Sequence, residues 1–276
     1  MRVRDDISVR YWQALGSRKT MEDVICVERK LHNGLGDFYI GLFDGHGGVY
    51  DFVFDIIFFA DACCRSTVAE YLSKHLCRRI EERFQSKKHG GDVKRAMLEG
   101  MEEINKDILE QPWGRHCGST ALVMIVRKDT LHIANVGDCR AVLVNADSSE
   151  RLTHDHKVSD GDEHARITEA GGVIRKGRLH ADGCDTNLGR AFGDAVFHPY
   201  LNAKPDYFER RITDADQFIV LGCDGIWDHV QETAAARSVR MVRLIIFVML
   251  VANHINSRAT RNGCARLRTG WAVATT

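Results

Sequence analysis

Five acidic residues stand where the chain breaks out of apolar segments. Asp44 precedes Gly45 and His46, Asp138 follows Gly137, Asp224 lies between Cys223 and Gly225, and Glu22 and Asp23 follow Met21. Taken singly, each is accounted for by turn chemistry, because Asp and Gly both tolerate tight turns. Their positions relative to the apolar runs say more. Phe38 to Phe43 runs into Asp44, Leu131 to Val136 into Asp138, and Phe218 to Leu221 into Asp224. If these runs are neighbouring strands, the acids converge at one edge of a sheet. Gathered carboxylates without a counter-charge repel each other and hold their protons. Cations relieve that repulsion, and an all-oxygen ligand set favours Mg²⁺ or Mn²⁺ over Zn²⁺ or Cu²⁺.

The elements that must place these acids are legible from periodicity. Ser119 to Val126 reads as a strand, linked through Arg127-Lys128-Asp129 to the strand at Leu131, and Arg140 to Val144 continues as a third. Short polar links between strands predict an antiparallel meander. Val68, Leu72, Leu76, Ile80 and Phe84 make one helical stripe. Val93, Met97, Met101, Ile104 and Ile108 make a second, with Asp92 as its N-cap. A shorter helix is expected over Gly161 to Ala170, ended by Gly171-Gly172. Strands, then helices, then strands predict an α+β fold with helices packed outside sheets.

Composition removes several classes. Lys plus Arg and Asp plus Glu are both 38 in 276 residues. That balance argues against general nucleic-acid or anionic-membrane affinity, which needs a basic excess. The longest apolar run, Leu244 to Ala252, is too short for a bilayer, which takes about 20 residues. Nine cysteines occur without a Cys-x-x-Cys pair, so there is no zinc pattern. The N-terminal residues do not read as a signal peptide, so the expected compartment is cytoplasmic, with the nucleus also open.

Seven motifs follow one another: Arg18 to Asp23, Phe43-Asp44-Gly45-His46-Gly47-Gly48, Gly118 to Ala121, Val136-Gly137-Asp138-Cys139-Arg140-Ala141, Asn187 to Asp194, Lys204-Pro205-Asp206 and Cys223-Asp224-Gly225-Ile226-Trp227-Asp228. In that order they resemble the metal-dependent Ser/Thr protein phosphatases of the protein phosphatase 2C family. The resemblance covers roughly residues 8 to 232. It implies two antiparallel sheets packed as a sandwich with helices outside, and two Mg²⁺ or Mn²⁺ ions at one end, with a third held weakly. Asp44 would bridge the two ions, the Gly45 carbonyl would bind one of them, Asp224 would hold the other, and Glu22 and Asp23 would act through water. Asp138 resembles the ligand of the third ion. Arg18 would clamp the substrate phosphate with its planar fork. His46 would protonate the leaving Ser or Thr oxygen. The implied reaction is direct attack of a metal-bridging hydroxide on a phosphorylated protein substrate, with no nucleic-acid or membrane partner and a monomer as the favoured state. Ser119-Thr120 and Arg190 to Asp194 read as architectural.

Two stretches depart from that pattern. Residues 49 to 65 carry aromatic and acidic side chains in neither period, between His46 and the first helix. The family supplies a further metal carboxylate some 40 residues after the position of Asp224, yet beyond Glu232 this chain has seven Arg and no Asp or Glu. The expected organisation is therefore a phosphatase 2C-like domain over 1–232, interrupted at 49–65, and a basic tail over 233–276 that does not match the family. The C-terminal part is expected to be incomplete, lacking a core strand, and the Leu244 to Ala252 run to lack a place for burial. The alternative function is an impaired pseudophosphatase or phosphoprotein-binding module.

Overall fold

The structure is a computed structural model, and it describes residues 8–15, 20–47, 65–86, 91–240 and 247–253. Its first strands are β1 (Ser8–Ala14), β2 (Asp23–Arg29) and β3 (Phe38–Gly47). Helices α1 (Thr67–Gln85) and α2 (Val93–Leu109) come next. Then follow β4 (Cys117–Ser119), β5 (Ala121–Arg127), β6 (Thr130–Val136), β7 (Arg140–Asn145) and β8 (Ser149–Arg151). Helix α3 (Gly161–Glu169) precedes β9 (Val173–Arg175), β10 (Arg178–Ala181), β11 (Cys184–Thr186) and β12 (Phe192–Gly193). The chain continues with β13 (Asp206–Arg211), β14 (Asp216–Gly222), α4 (Asp224–Trp227), α5 (Glu232–Arg240) and β15 (Phe247–Asn253).

One sheet has the order β12-β4-β3-β5-β6-β13, with β2 on β3, and the other the order β1-β15-β14-β7-β8. Successive side chains of a strand point to opposite faces. In β3 and β5, Ile40, Leu42, Leu122 and Met124 face inward and pack with Ala141, Leu143, Ile219 and Leu221 of β7 and β14. The alternate residues Tyr39, Phe43, Val123 and Ile125 face outward and are covered by the predicted stripes of α1 and α2. Val142, Val144, Phe218 and Val220 form the opposite outer face, under Trp227 and under Ala235, Ala236 and Val239 of α5. The result is the expected four-layer sandwich. Because both faces of the central strands are buried, their sequences are apolar throughout and do not show the alternation.

The cap of α2 is as expected: the Asp92 side chain accepts from the Arg95 backbone N–H at 3.1 Å. Two expectations about the C-terminal part are corrected. Residues past 232 contribute α5, whose apolar face is buried on the sheet. Most of the apolar run at 244–252 becomes β15, which lies between β1 and β14 and pairs in parallel with both. A short, continuously apolar and partly β-branched run suits a strand flanked on both sides. This parallel pairing is the departure from an otherwise antiparallel sandwich. Residues 49–64 of the atypical 49–65 stretch lie outside the described residues, as does Arg18.

A small subdomain is built on the main body by α3, β9, β10 and β11. It has its own core of Val158, Ile167, Leu179, Leu188, Val196, Phe197 and Leu201. Arg190 ties it down, reaching Glu163 Oε1 through Nε at 2.8 Å and Nη2 at 2.7 Å, and Asp206 Oδ1 through Nη1 at 2.7 Å.

Candidate active site

Strand register brings the acids together. Asp23 opens β2 and Asp44 lies near the end of β3, and the two are direct cross-strand partners. Like charges placed opposite each other in an antiparallel pair destabilise it unless something intervenes. Asp138 sits in the loop from β6 to β7, and Asp224 begins α4 directly after β14. All three strand ends open at the same edge of the sandwich. Here Glu22, Asp44, Gly45, His46, Asp138 and Asp224 line one cleft of about 450 Å³. The subdomain supplies the opposite wall through Arg178, Asp185, Thr186 and Asn187.

The electrostatics follow from this crowding. Burial, and then the charges of Asp23, Asp224 and Asp138, push the Asp44 carboxyl well above the ordinary carboxylate range. Burial raises Asp23 to about 6, with Asp224 and Glu22 adding to it and hydrogen bonds to Asp44 and Cys223 opposing it. Asp138 is pushed to about 7 by burial and by Asp224, against the opposing charge of Lys157. The Lys157 ammonium lies 3.4 Å from Asp138 Oδ2 and 2.8 Å from Asp228 Oδ1. Asp138 Oδ2 is buried without a hydrogen-bond partner. Buried acids that hold their protons and face a common space form a donor set for hard cations.

Backbone groups hold the cluster rigid. The Asp44 N–H donates to Thr120 Oγ1 at 3.1 Å, and the Thr120 N–H donates back to the Asp44 carbonyl at 2.9 Å. The Gly45 N–H donates to the Glu22 carbonyl at 3.2 Å. A Cβ on Gly45 would lie 2.5 Å from the Arg65 carbonyl, so only glycine lets the α1 approach pass this close. The Glu22 side chain stands toward the cleft mouth, bonded by Thr20 Oγ1 at 3.3 Å and paired with Arg65 at 3.5 Å.

One contact escapes the sequence reading. His46 Nε2 lies 2.6 Å from Asp194 Oδ2, and the Asp194 side chain is 3% exposed. Burial disfavours the imidazolium, but the Asp194 charge and hydrogen bond outweigh it, so the His46 pKa is raised. Asp194 therefore does more than the architectural role expected for its segment. Its backbone takes a left-handed conformation with φ of 51°. Gly118 lies against the pair: a Cβ there would sit 2.4 Å from both Asp194 Oδ2 and His46 Nε2. The sequence signal for this contact was the closeness of Asp194 to Gly193, which identifies a turn but not its partner.

Among known proteins, a family model described as protein phosphatase 2C matches residues 10–266. Probable protein phosphatase 2C 69 of Arabidopsis thaliana is 32% identical over 237 residues, 85% of this chain and 61% of the relative. Probable protein phosphatase 2C 71 of the same plant is 31% identical over 85% of this chain and 48% of its own length. The chain thus spans about half to three fifths of these relatives. Two solved structures share the fold. A sex-determining protein of C. elegans superposes with a TM-score of 0.67 at 24% identity, over 82% of this chain and 53% of the other. A serine-threonine phosphatase 2C from Toxoplasma gondii gives 0.66 at 20% identity, over 83% of each chain.

A sandwich of two sheets between helices, with acids gathered at one end, is the class of fold and site that the chain presents. The chain belongs to the protein phosphatase 2C family.

Proposed function

We propose that the chain hydrolyses phosphoserine and phosphothreonine in proteins, using Mg²⁺ or Mn²⁺. The observation that carries this reading is the meeting of Glu22, Asp44, Asp138 and Asp224 at one cleft, with Asp23 paired against Asp44, in a chain of this family. In the proposal Asp44, Asp224 and the Gly45 carbonyl hold two ions, with Asp23 and Glu22 beside them, and Asp138 holds a weaker third. Such ions, when bound, offset the charge of a phosphomonoester and make water a stronger nucleophile near neutral pH. Every other part falls to the chain itself. Arg18, by its motif, grips two phosphate oxygens. His46 holds a proton under the influence of Asp194 and gives it to the departing Ser or Thr oxygen. The subdomain wall positions the phosphoprotein segment.

The same reading centres the catalytic unit on 1–232, with α5 and β15 of the following stretch built into its sandwich. It sets the protein in the cytoplasm as a monomer acting on phosphoproteins rather than on nucleic acid or membrane. Among the described residues no helix is long and apolar enough to cross a membrane.

The test is turnover of p-nitrophenyl phosphate and of a phosphothreonine peptide by folded protein, with Mn²⁺ and with EDTA. Metal-dependent release of phosphate is expected; its absence in a folded, metal-bound sample refutes the reading and leaves a binding module.

Two variants probe the proton donor. Gly118→Ala drives a methyl between His46 and Asp194 and should lower kcat by about 10²-fold, within the range for general acid catalysis, while Mn²⁺ binding persists. Asp194→Asn removes the charge that raises the His46 pKa. The acid form of His46 is then lost at lower pH, so the alkaline limb of the kcat profile should move toward acid. A profile that does not move excludes His46 as the proton donor.

A further inference from the structure

We propose that His156 is a positioning residue for the loop that carries Asp138, acting through its ring and its main chain together. Its side chain is fully buried and does not line the cleft, so it stands behind the site rather than in it. It holds both polar backbone groups of Gly137. The Gly137 N–H donates to His156 Nδ1 at 3.1 Å, and the His156 N–H donates to the Gly137 carbonyl at 3.0 Å. Asn135 Nδ2 closes the clamp, donating to that carbonyl at 3.1 Å and to the His154 carbonyl at 2.8 Å. On its other side Gly137 meets Thr120: an added Cβ would lie 2.6 Å from Thr120 Cγ2, and the φ of 101° favours glycine. Thr120 is the residue whose hydroxyl receives the Asp44 N–H. The peptide just before Asp138 is therefore fixed from two sides.

The partners decide which ring nitrogen carries the proton. Nδ1 accepts from Gly137, so the proton sits on Nε2, which lies 3.1 Å from Asp206 Oδ2. Burial, and then the Arg190 charge, lower the pKa of the ring against the pull of Asp206, so the ring is uncharged near neutral pH. The clamp requires this, because an imidazolium has no lone pair for the Gly137 N–H. Asp206 is gripped by Arg190, which also bonds the buried Glu163 of α3. The Gly189 N–H donates to the His156 carbonyl at 2.8 Å. One histidine thus joins the Asp138 loop to the knot that anchors the subdomain. A ring that only filled space would need neither nitrogen contact.

The inference rests on the phosphatase reading only in taking Asp138 as a metal ligand; the placing of the loop stands apart from it. Two variants separate the ring's two nitrogens. His156→Asn keeps an acceptor near the Nδ1 position but does not reach Asp206. His156→Gln can reach Asp206 but withdraws the acceptor from Gly137. In the metal-free full chain, nitrogen NMR of wild-type His156 should show the proton on Nε2 alone. Hydrogen exchange of the Gly137 amide should be slow in the wild type and in His156→Asn, and roughly tenfold faster in His156→Gln. Calorimetric titration should show the weakest Mn²⁺ bound at least about tenfold more weakly in His156→Gln, and less affected in His156→Asn. A wild-type proton on Nδ1, equal Gly137 exchange in the two variants, or Mn²⁺ affinity lowered equally in both each overturns the inference, because a merely structural ring would be missed alike in both. Should His156→Gln not fold, the wild-type nitrogens and the amide protection in His156→Asn decide. A wild-type chain that binds no Mn²⁺ sinks the phosphatase reading, and the exchange rates then judge His156 alone.

Discussion

Asp44→Asn lowers kcat/KM by at least about a thousandfold and, without metal, raises the melting temperature. Both halves follow from one fact. Asp44 sits among Asp23, Asp138 and Asp224, and burial with their charges pushes its carboxyl far above the usual range. In the proposed reading, that carboxylate would be a central ligand of the divalent ions. Its loss forfeits several kcal/mol of transition-state charge stabilisation, at 1.36 kcal/mol per tenfold in rate. With the ions removed, the same group is a source of repulsion, and the amide keeps its shape without its charge. Steady-state kinetics and thermal scans in EDTA check the two halves. A variant that loses activity and also melts lower without metal would assign Asp44 a purely structural role.

Metal removal has an effect nearly as large, and its pH dependence is distinctive. EDTA should reduce turnover to the background rate. Metal-free protein should also be more stable near pH 5 than near pH 8. Asp23 and Asp138 titrate at about 6 and about 7 in the fold, against an ordinary 3.8. Between those values the folded chain binds more protons than the unfolded chain, so stability falls as pH rises through that window. The expected drop is on the order of 5–10 °C in melting temperature, at roughly 2–4 °C per kcal/mol for a chain of this size. Saturating Mn²⁺ should reverse the trend, because metal ligands bind deprotonated. Calorimetric scans at the two pH values, with and without Mn²⁺, read this directly. A metal-free protein more stable at pH 8 would mean that these carboxylates do not crowd one another.

Much of this was legible in the sequence, for identifiable reasons. The stripes of α1 and α2 and the Asp92 cap showed because a helix with one buried face keeps its period in the residue types. The acids at strand ends showed because each interrupts an apolar run beside glycine. Which acids would touch did not show, since the Asp23 and Asp44 pairing depends on register across β2 and β3. The His46 contact with Asp194 spans 148 residues of chain and needs the left-handed turn at Asp194 to aim the carboxyl. Strand β15 was missed because nine apolar residues without flanking turn signals fit a strand or a helix equally, and only the gap between β1 and β14 settles it.

Equilibrium titration of metal-stripped protein with Mn²⁺, by calorimetry, bears most directly on whether these carboxylates gather ions. Two or more ions per chain are predicted, falling by at least one in Asp44→Asn. A chain that folds but binds no Mn²⁺, or binds it equally well without Asp44, would contradict it.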